Sequence, residues 1–410
     1  MGGLGVLPRQ HPRFGRLSLA VAISSVGDPL SLTLSQYLLY QATHSPFALA
    51  GIYVAQIGGA LLVGLLLGAV SDRLDRRLLV VSLEGVRTVV VALLPLATLL
   101  NPFTLYPALV VLGGIEAIVQ PARLAGVPGL VGVDHLERAS AHLQLLISLG
   151  QAAGFGLAGF LIVALPEPRL LFLVDALTFA LAGALVLGVG PLGGGVRAVR
   201  LSGSVVRAVA TPGVRPHLLI AGAVTVATLM LSPALLPLSY QLSPDGVMVY
   251  AWLQVLLIAG LTVGSLLAHR TGAGLGVLAL SLWIFGGGAL MAGLADSFWL
   301  TGAGIAVASV GNILYFIANQ TALLRAADET QRGTVMSARY SVTQFGKVIG
   351  LLAGASITAL GSGRLTLALI GVVLLAVALP VGRWWLAIRY GSAGIRPAPA
   401  VRDVAGRADR

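Results

Sequence analysis

The sequence predicts an all-α integral membrane protein, with twelve transmembrane helices in two six-helix, pseudo-symmetric bundles. Three observations carry this. Of 410 residues, 57% are apolar and only 10% charged, against roughly 25% charged in a soluble domain. No soluble fold of this size could hide that much apolar surface, because folded surfaces need polar cover. The apolar residues fall into twelve stretches near the ~20 residues that cross a bilayer. The last six stretches also repeat features of the first six.

The expected spans are 16–41, 47–71, 78–100, 103–125, 137–165 and 169–190, then 215–241, 247–269, 273–295, 298–324, 333–361 and 364–389. Residues 1–190 would form the N-terminal bundle and 215–390 the C-terminal one. Between them, residues 191–214 are rich in Gly and Arg without an acid and read as a cytoplasmic linker. Residues 391–410, polar and rich in Pro, Ala and Arg, read as a disordered cytoplasmic tail. Arg9, Arg13 and Arg16 precede the first stretch, which has no small-residue cleavage site and contains Asp28, so it reads as an uncleaved span.

Net charge is +11. A basic balance can mean nucleic acid, but these arginines lie between apolar runs, as anchors do. With both termini placed in the cytoplasm, 21 of 26 basic residues fall on that side and only Arg169 and Arg364 fall outside. This is the asymmetry that sets orientation in membrane proteins.

The repeat has a spacing of 194 to 196 residues. Asp134-x-x-Glu137-Arg138 recurs as Asp328-x-x-Gln331-Arg332, Gly68 as Gly264, Arg169 as Arg364, and Leu157-Ala158-Gly159 as Leu352-Ala353-Gly354. Each Asp-x-x-Glu/Gln unit precedes a span and has the form of a capping box, so Asp134 is expected to cap helix five. Parallel six-span repeats are a transporter plan in which ligands bind between the halves near mid-bilayer.

After the second span comes Gly68-Ala-Val-Ser-Asp72-Arg73-Leu-Asp75-Arg76-Arg77. It resembles the cytoplasmic signature loop of the major facilitator superfamily, Gly-x-x-x-Asp-Arg-x-Gly-Arg-Arg, with Asp75 in the second Gly position. Pro121-Ala-Arg123-Leu-Ala-Gly-Val-Pro128, Asp175-Ala-Leu-Thr-Phe179 and Arg332-Gly-Thr-Val-Met336 resemble the branch of that superfamily that includes macrolide and siderophore exporters. The fourth loop would hold the first of these segments. Gly150-Gln-Ala-Ala-Gly154-Phe155-Gly156-Leu-Ala-Gly159 resembles the antiporter motif, with Phe155 where the family has proline. Small residues every four positions favour close helix packing in lipid. Span 11 repeats the spacing with Gly346, Gly350 and Gly354.

The resemblance implies proton-coupled export of lipophilic small molecules by alternating access, with a lysophospholipid, siderophore or metal carrier of the same fold as the alternative. It implies gating by Gly68, Asp72, Arg73, Arg76, Gly154, Gly159 and Gly350, with Asp72 and Arg73 latching the halves. For Arg76 and Arg77 the simpler reading is loop anchoring at the anionic leaflet.

A charge at mid-bilayer costs at least ~2.5–3.5 kcal/mol on insertion scales, so it faces a cavity or a partner. Asp28 (span 1, followed by Pro29, which disturbs the helix), Glu116 (span 4) and Lys347 (span 11, the only lysine) lie near mid-span. Burial disfavours the charged form of such groups, so they can exchange protons as access alternates. Asp28 and Glu116 are the candidate proton-coupling acids. Glu84 and Arg87, three apart in span 3, read as a structural pair on one helix face. Asp175 reads as interfacial or structural. Arg339 would bind an anionic group or pair with a loop acid. Candidate substrate-binding groups are Gln36, Tyr37, Gln56, Gln144, Gln151, Asn312, Asn319, Gln344, Lys347 and Arg339.

What is missing narrows the rest. Cysteine is absent and the six histidines lack metal-ligand spacing, so no metal site is expected. There is no phosphate-binding loop for ATP and no nucleophile motif, so no enzyme is expected. The expected partners are a small-molecule substrate and membrane lipid, without nucleic acid or a cofactor, and the protein is expected to act as a monomer.

Overall fold

The computed structural model describes residues 7–67, 75–190, 213–271, 274–327 and 332–391. Among them are twelve helices long and apolar enough to cross a membrane. In order these are span 1 (Pro12–Thr43), span 2 (Pro46–Leu67), span 3 (Arg76–Leu100), span 4 (Leu105–Val131), span 5 (Leu136–Ala164) and span 6 (Leu171–Leu187). The second half holds span 7 (Arg215–Leu242), span 8 (Gly246–Thr271), span 9 (Leu275–Leu294), span 10 (Phe298–Ala326), span 11 (Arg332–Leu360) and span 12 (Gly363–Gly391). No strand occurs among the described residues, so the expected all-α class holds. Residues 191–212 of the proposed linker, the tail beyond Gly391, the Asp328 and Gln331 counterparts, and Gly68, Asp72 and Arg73 lie outside the described residues.

Local chemistry sets the helix ends. Span 1 stops where His44 adopts φ 49° and donates its N–H to Tyr40 O, and Pro46 opens span 2. Asp75, standing where the signature loop has glycine, is the N-cap of span 3 and accepts from the N–H groups of Arg77 and Leu78. Arg77 donates to Leu187 O and Arg16 to Gly188 O, so two guanidinium groups satisfy the carbonyl end of span 6. Arg77 thus has a defined intramolecular partner where simple loop anchoring was expected.

Three expectations fail here. Span 5 begins at Leu136 with His135 at the N-cap and no side-chain capping bond, while Asp134 sits in a 3-10 turn. Span 4 continues through Pro121 and Pro128 to Val131, so the segment expected in the fourth loop is helical. Span 1 likewise runs unbroken through Pro29. Prolines are tolerated in such helices because neighbouring helices and hydroxyls satisfy the freed backbone groups.

The repeat is visible in packing. A Cβ on Gly150 would lie 3.1 Å from Ala22 O, and one on Gly154 would lie 2.3 Å from Val26 O. In the other half, a Cβ on Gly346 would lie 3.2 Å from Gly222 O and one on Gly350 would lie 2.4 Å from Val226 O. Spans 5 and 11 therefore lie backbone to backbone on spans 1 and 7 at corresponding places.

The halves join at the end where span 1 finishes and span 2 starts. There, Leu34, Leu39, Leu49, Phe155 and Ile162 share a core with Leu235, Leu238, Val247 and Tyr250 of the other half. Tyr40 stacks on Tyr240 at 5.5 Å, Gln41 Nε2 donates to Tyr240 Oη at 3.2 Å, and Gly159 meets Ala251. Ala50 packs with Leu351 and Ala355. At the opposite end the cores stay within one half: Phe14, Leu17, Val80, Val127 and Val186 in the first, Val214, Leu218, Leu323 and Val335 in the second. Among the described residues, the shared core closes one end of the space between the halves, and no buried core joins the halves at the end bearing the N-terminus.

Candidate functional site: an acid-rich cluster and a basic cavity

Span 3 carries Arg87 into the N-terminal half, where its side chain is only 6% exposed. Its Nη2 lies 3.2 Å from Asp28 Oδ1 of span 1 and its Nη1 lies 3.1 Å from Glu116 Oε2 of span 4. The same Nη1 is 3.5 Å from Glu84 Oε1, one turn back on its own helix. Its Cζ sits 4.1 Å above the Phe179 ring of span 6, an arrangement that adds a cation–π attraction. Glu84 is fully buried and also accepts from Arg123 Nη2 of span 4 at 2.6 Å. Next to Asp28 is Asp175 of span 6, 1% exposed, which accepts from Ser31 and, at 3.1 Å, from Thr178 Oγ1. A Cβ on Gly27 would lie 2.2 Å from Asp175 Oδ1, so glycine is needed for spans 1 and 6 to meet there.

Four carboxyl groups thus face two guanidinium groups, an excess of two acids. Glu84 and Asp175 are sealed, whereas the side chains of Asp28 and Glu116 keep 48% and 43% of their surface accessible. Unpaired charge at membrane depth is costly. Asp28 and Glu116 are the two acids of the cluster that keep accessible surface. Asp28 is neither turned to lipid alone nor buried in a tight core; it is ion-paired within its half and open on one side.

The C-terminal half has the opposite character. Spans 7, 10 and 11 line a cavity of about 610 Å³. Asn312, Arg339 and Lys347 line it. With the offset of 200 residues seen where spans 5 and 11 pack, Thr228, another lining residue, occupies the place of Asp28.

Other sequence candidates lie elsewhere. Gln36 is buried and donates to Tyr53 Oη at 2.9 Å within the closed end, and Tyr37 packs on the same core. Asn319 is sealed against His217, with contacts of 3.2 and 3.4 Å. Gln344 is buried outside the cavity lining, Gln56 is half-buried where Gly113 packs on its backbone, and Gln144 and Gln151 are exposed. Of the candidate substrate-binding groups, Asn312, Arg339 and Lys347 share the cavity between spans 7, 10 and 11.

Sequence reasoning missed Arg123 and Asp175 as cluster members and confined Glu84 and Arg87 to a local pair. The available signal for Arg87 and Glu84 was their depth in span 3. In sequence, Arg123 reads only as part of a segment resembling the fourth loop of the exporter branch, which hides its partner in span 3.

These features can be set beside known proteins. A profile of the Major Facilitator Superfamily matches residues 17–274, well over half of the chain. The protein belongs to the major facilitator superfamily. Among its relatives is the enterobactin exporter EntS of Salmonella typhi, 29% identical over 227 residues that cover 46% of this chain and 54% of that protein. EntS of Shigella boydii is 30% identical over 164 residues, 38% of each. The chain thus spans about half the length or less of these curated relatives. Among solved structures, a bacterial homolog of the human lysosomal transporter Spinster, inward-facing and occupied, covers 95% of this chain and 99% of its own, with a TM-score of 0.66 and 15% identity. The human organic anion transporter MFSD10 covers 90% and 99%, with a TM-score of 0.60 and 16% identity. Likeness at that identity speaks for the fold, which this major facilitator shares over nearly its whole length.

Proposed function

We propose that this major facilitator is a secondary active exporter in which proton binding at Asp28 and Glu116 is exchanged for a small amphipathic cargo. The observation that carries the reading is the excess of two carboxyls around Arg87 and Arg123, matched by two acids that remain accessible. Protonation of Asp28 or Glu116 releases Arg87 toward the remaining acids. That rearrangement couples spans 1, 3 and 4 to the seal at the far ends of spans 1 and 2. With the N-terminus in the cytoplasm, the closed end is the outer one and the structure is inward-facing. Cargo enters from the cytoplasmic side, the halves rock, and protons taken up outside are discharged inside. The matched curated relatives, named as enterobactin exporters, favour a siderophore-like cargo within this class.

The test uses inverted membrane vesicles with an imposed pH gradient, following uptake of enterobactin and, in parallel, of the lipophilic dye Hoechst 33342. Wild-type uptake should rise with the gradient, and Asp28→Asn should abolish that dependence while the protein stays folded. Uptake by Asp28→Asn at the wild-type rate and with the wild-type pH dependence would remove Asp28 from coupling.

A further inference from the structure

The cavity between spans 7, 10 and 11 presents hydrogen-bond donors without matching acceptors. Arg339, 8% exposed, touches Gln320 Oε1 only at 3.4 Å and lies 4.6 Å over the Phe316 ring; its Nε has no partner. Tyr315, 4% exposed, lines the same cavity, and its buried hydroxyl is also unpartnered. Lys347 follows Arg339 by eight residues on span 11, about 12 Å of helix rise. No carboxyl group among the described residues lines the cavity. Leaving buried donors and cations unpaired costs free energy, so the arrangement is completed by something that brings acceptors and negative charge. The other walls combine flat and apolar side chains, Phe316, Tyr340, Met336, Val224 and Leu229, with neutral polar groups such as Thr225, Thr228 and Thr343.

We propose that this cavity is the cargo's anion subsite, binding the carboxylate of an aromatic organic acid. The carboxylate sits between Arg339 and Lys347 and accepts from the Tyr315 hydroxyl, while the ring lies along Phe316 and Tyr340. A guanidinium favours a carboxylate by paired, charge-assisted hydrogen bonds. The volume leaves room for a bicyclic ring and a polar substituent within reach of Asn312. The assignment rests on the exporter reading for its meaning as a cargo site, but its binding chemistry stands on the C-terminal half alone.

The test is equilibrium binding to the purified full chain in nanodiscs with three probes of one shape: 2-naphthoate, neutral 2-naphthamide and cationic 2-naphthylmethylamine. The naphthoate should bind best. Arg339→Gln and Lys347→Ala should each weaken it about tenfold or more, the size of one charge-assisted hydrogen bond, with no change for the amide. Arg339→Lys and Lys347→Arg should restore part of the affinity, which separates a charge effect from misfolding. Loss of pH-driven transport in Asp28→Asn, with wild-type naphthoate binding intact and sensitive to Arg339→Gln, would bear on coupling alone. Equal affinity for the three probes, no naphthoate binding, or indifference to both substitutions would overturn the proposal. So would binding of lysophosphatidylglycerol in place of naphthoate, which would make the site a lipid headgroup site.

Discussion

Arg87 is the residue on which the N-terminal half depends, since one guanidinium satisfies carboxylates from three helices. Removing one partner of a buried ion network is more damaging than never having had it. Arg87→Gln should destabilise the protein by about 3–5 kcal/mol, read as a lowered melting temperature in nanodiscs. The loss should be smaller at about pH 5 than at about pH 8, because protonated carboxyls no longer need the guanidinium. A loss independent of pH would mean that the cluster's charge is not what Arg87 balances. Asp28 and Glu116 could be picked out in the sequence because a charge in an apolar run stands out by its depth. Their shared partner could not. Spacing shows which residues meet on one helix, as with Glu84 and Arg87, and is silent about which helices turn their faces to one another.

At the scale of elements, glycine placement was legible and its consequences were not. The four-residue spacing in spans 5 and 11 foretold close packing, but Gly154 and Gly159 face different neighbours: Val26 and Pro29 within the half, and Ala251 across it. Gly154→Val would press a side chain onto the backbone of span 1 and should reduce the folded yield. Gly159→Leu would instead pry the closed end apart at Ala251. In this cysteine-free chain, a single Leu34→Cys reporter, fully buried in that seal, should react slowly with a maleimide and at least several times faster when combined with Gly159→Leu. Unchanged labelling would show that Gly159 does not hold the seal. The capping box at Asp134 failed for a local reason: a 3-10 turn takes up the acid two residues before the helix begins. Span 4 runs to Val131, past the expected end at 125, because the bundle supplies partners for the backbone groups that Pro128 frees.

Across the whole molecule, the two halves share a plan and differ in charge. The twelve spans and their division into halves were legible because lipid demands long apolar helices and duplication leaves regular spacings. What duplication hides is divergence: accessible acids in one half, and Arg339 with Lys347 beside the corresponding Thr228 in the other. In the proposed carrier, protons would sit on one wall and the anionic cargo on the other, and the core around Leu34, Leu238 and Tyr250 closes one end. The polar residues of the closed end, Gln36 and Tyr37, were placed in the cavity by sequence because the captured conformation decides which polar groups seal and which line, and no pattern encodes that state.

The exchange of protons for cargo is tested most directly by reconstituting the purified protein in liposomes that enclose the pH indicator pyranine and imposing a gradient of enterobactin without any pH difference. The account predicts that cargo moving down its gradient drives protons the opposite way, and that the flux is lost in Asp28→Asn combined with Glu116→Gln. Enterobactin movement with no accompanying proton flux in the wild type would contradict it.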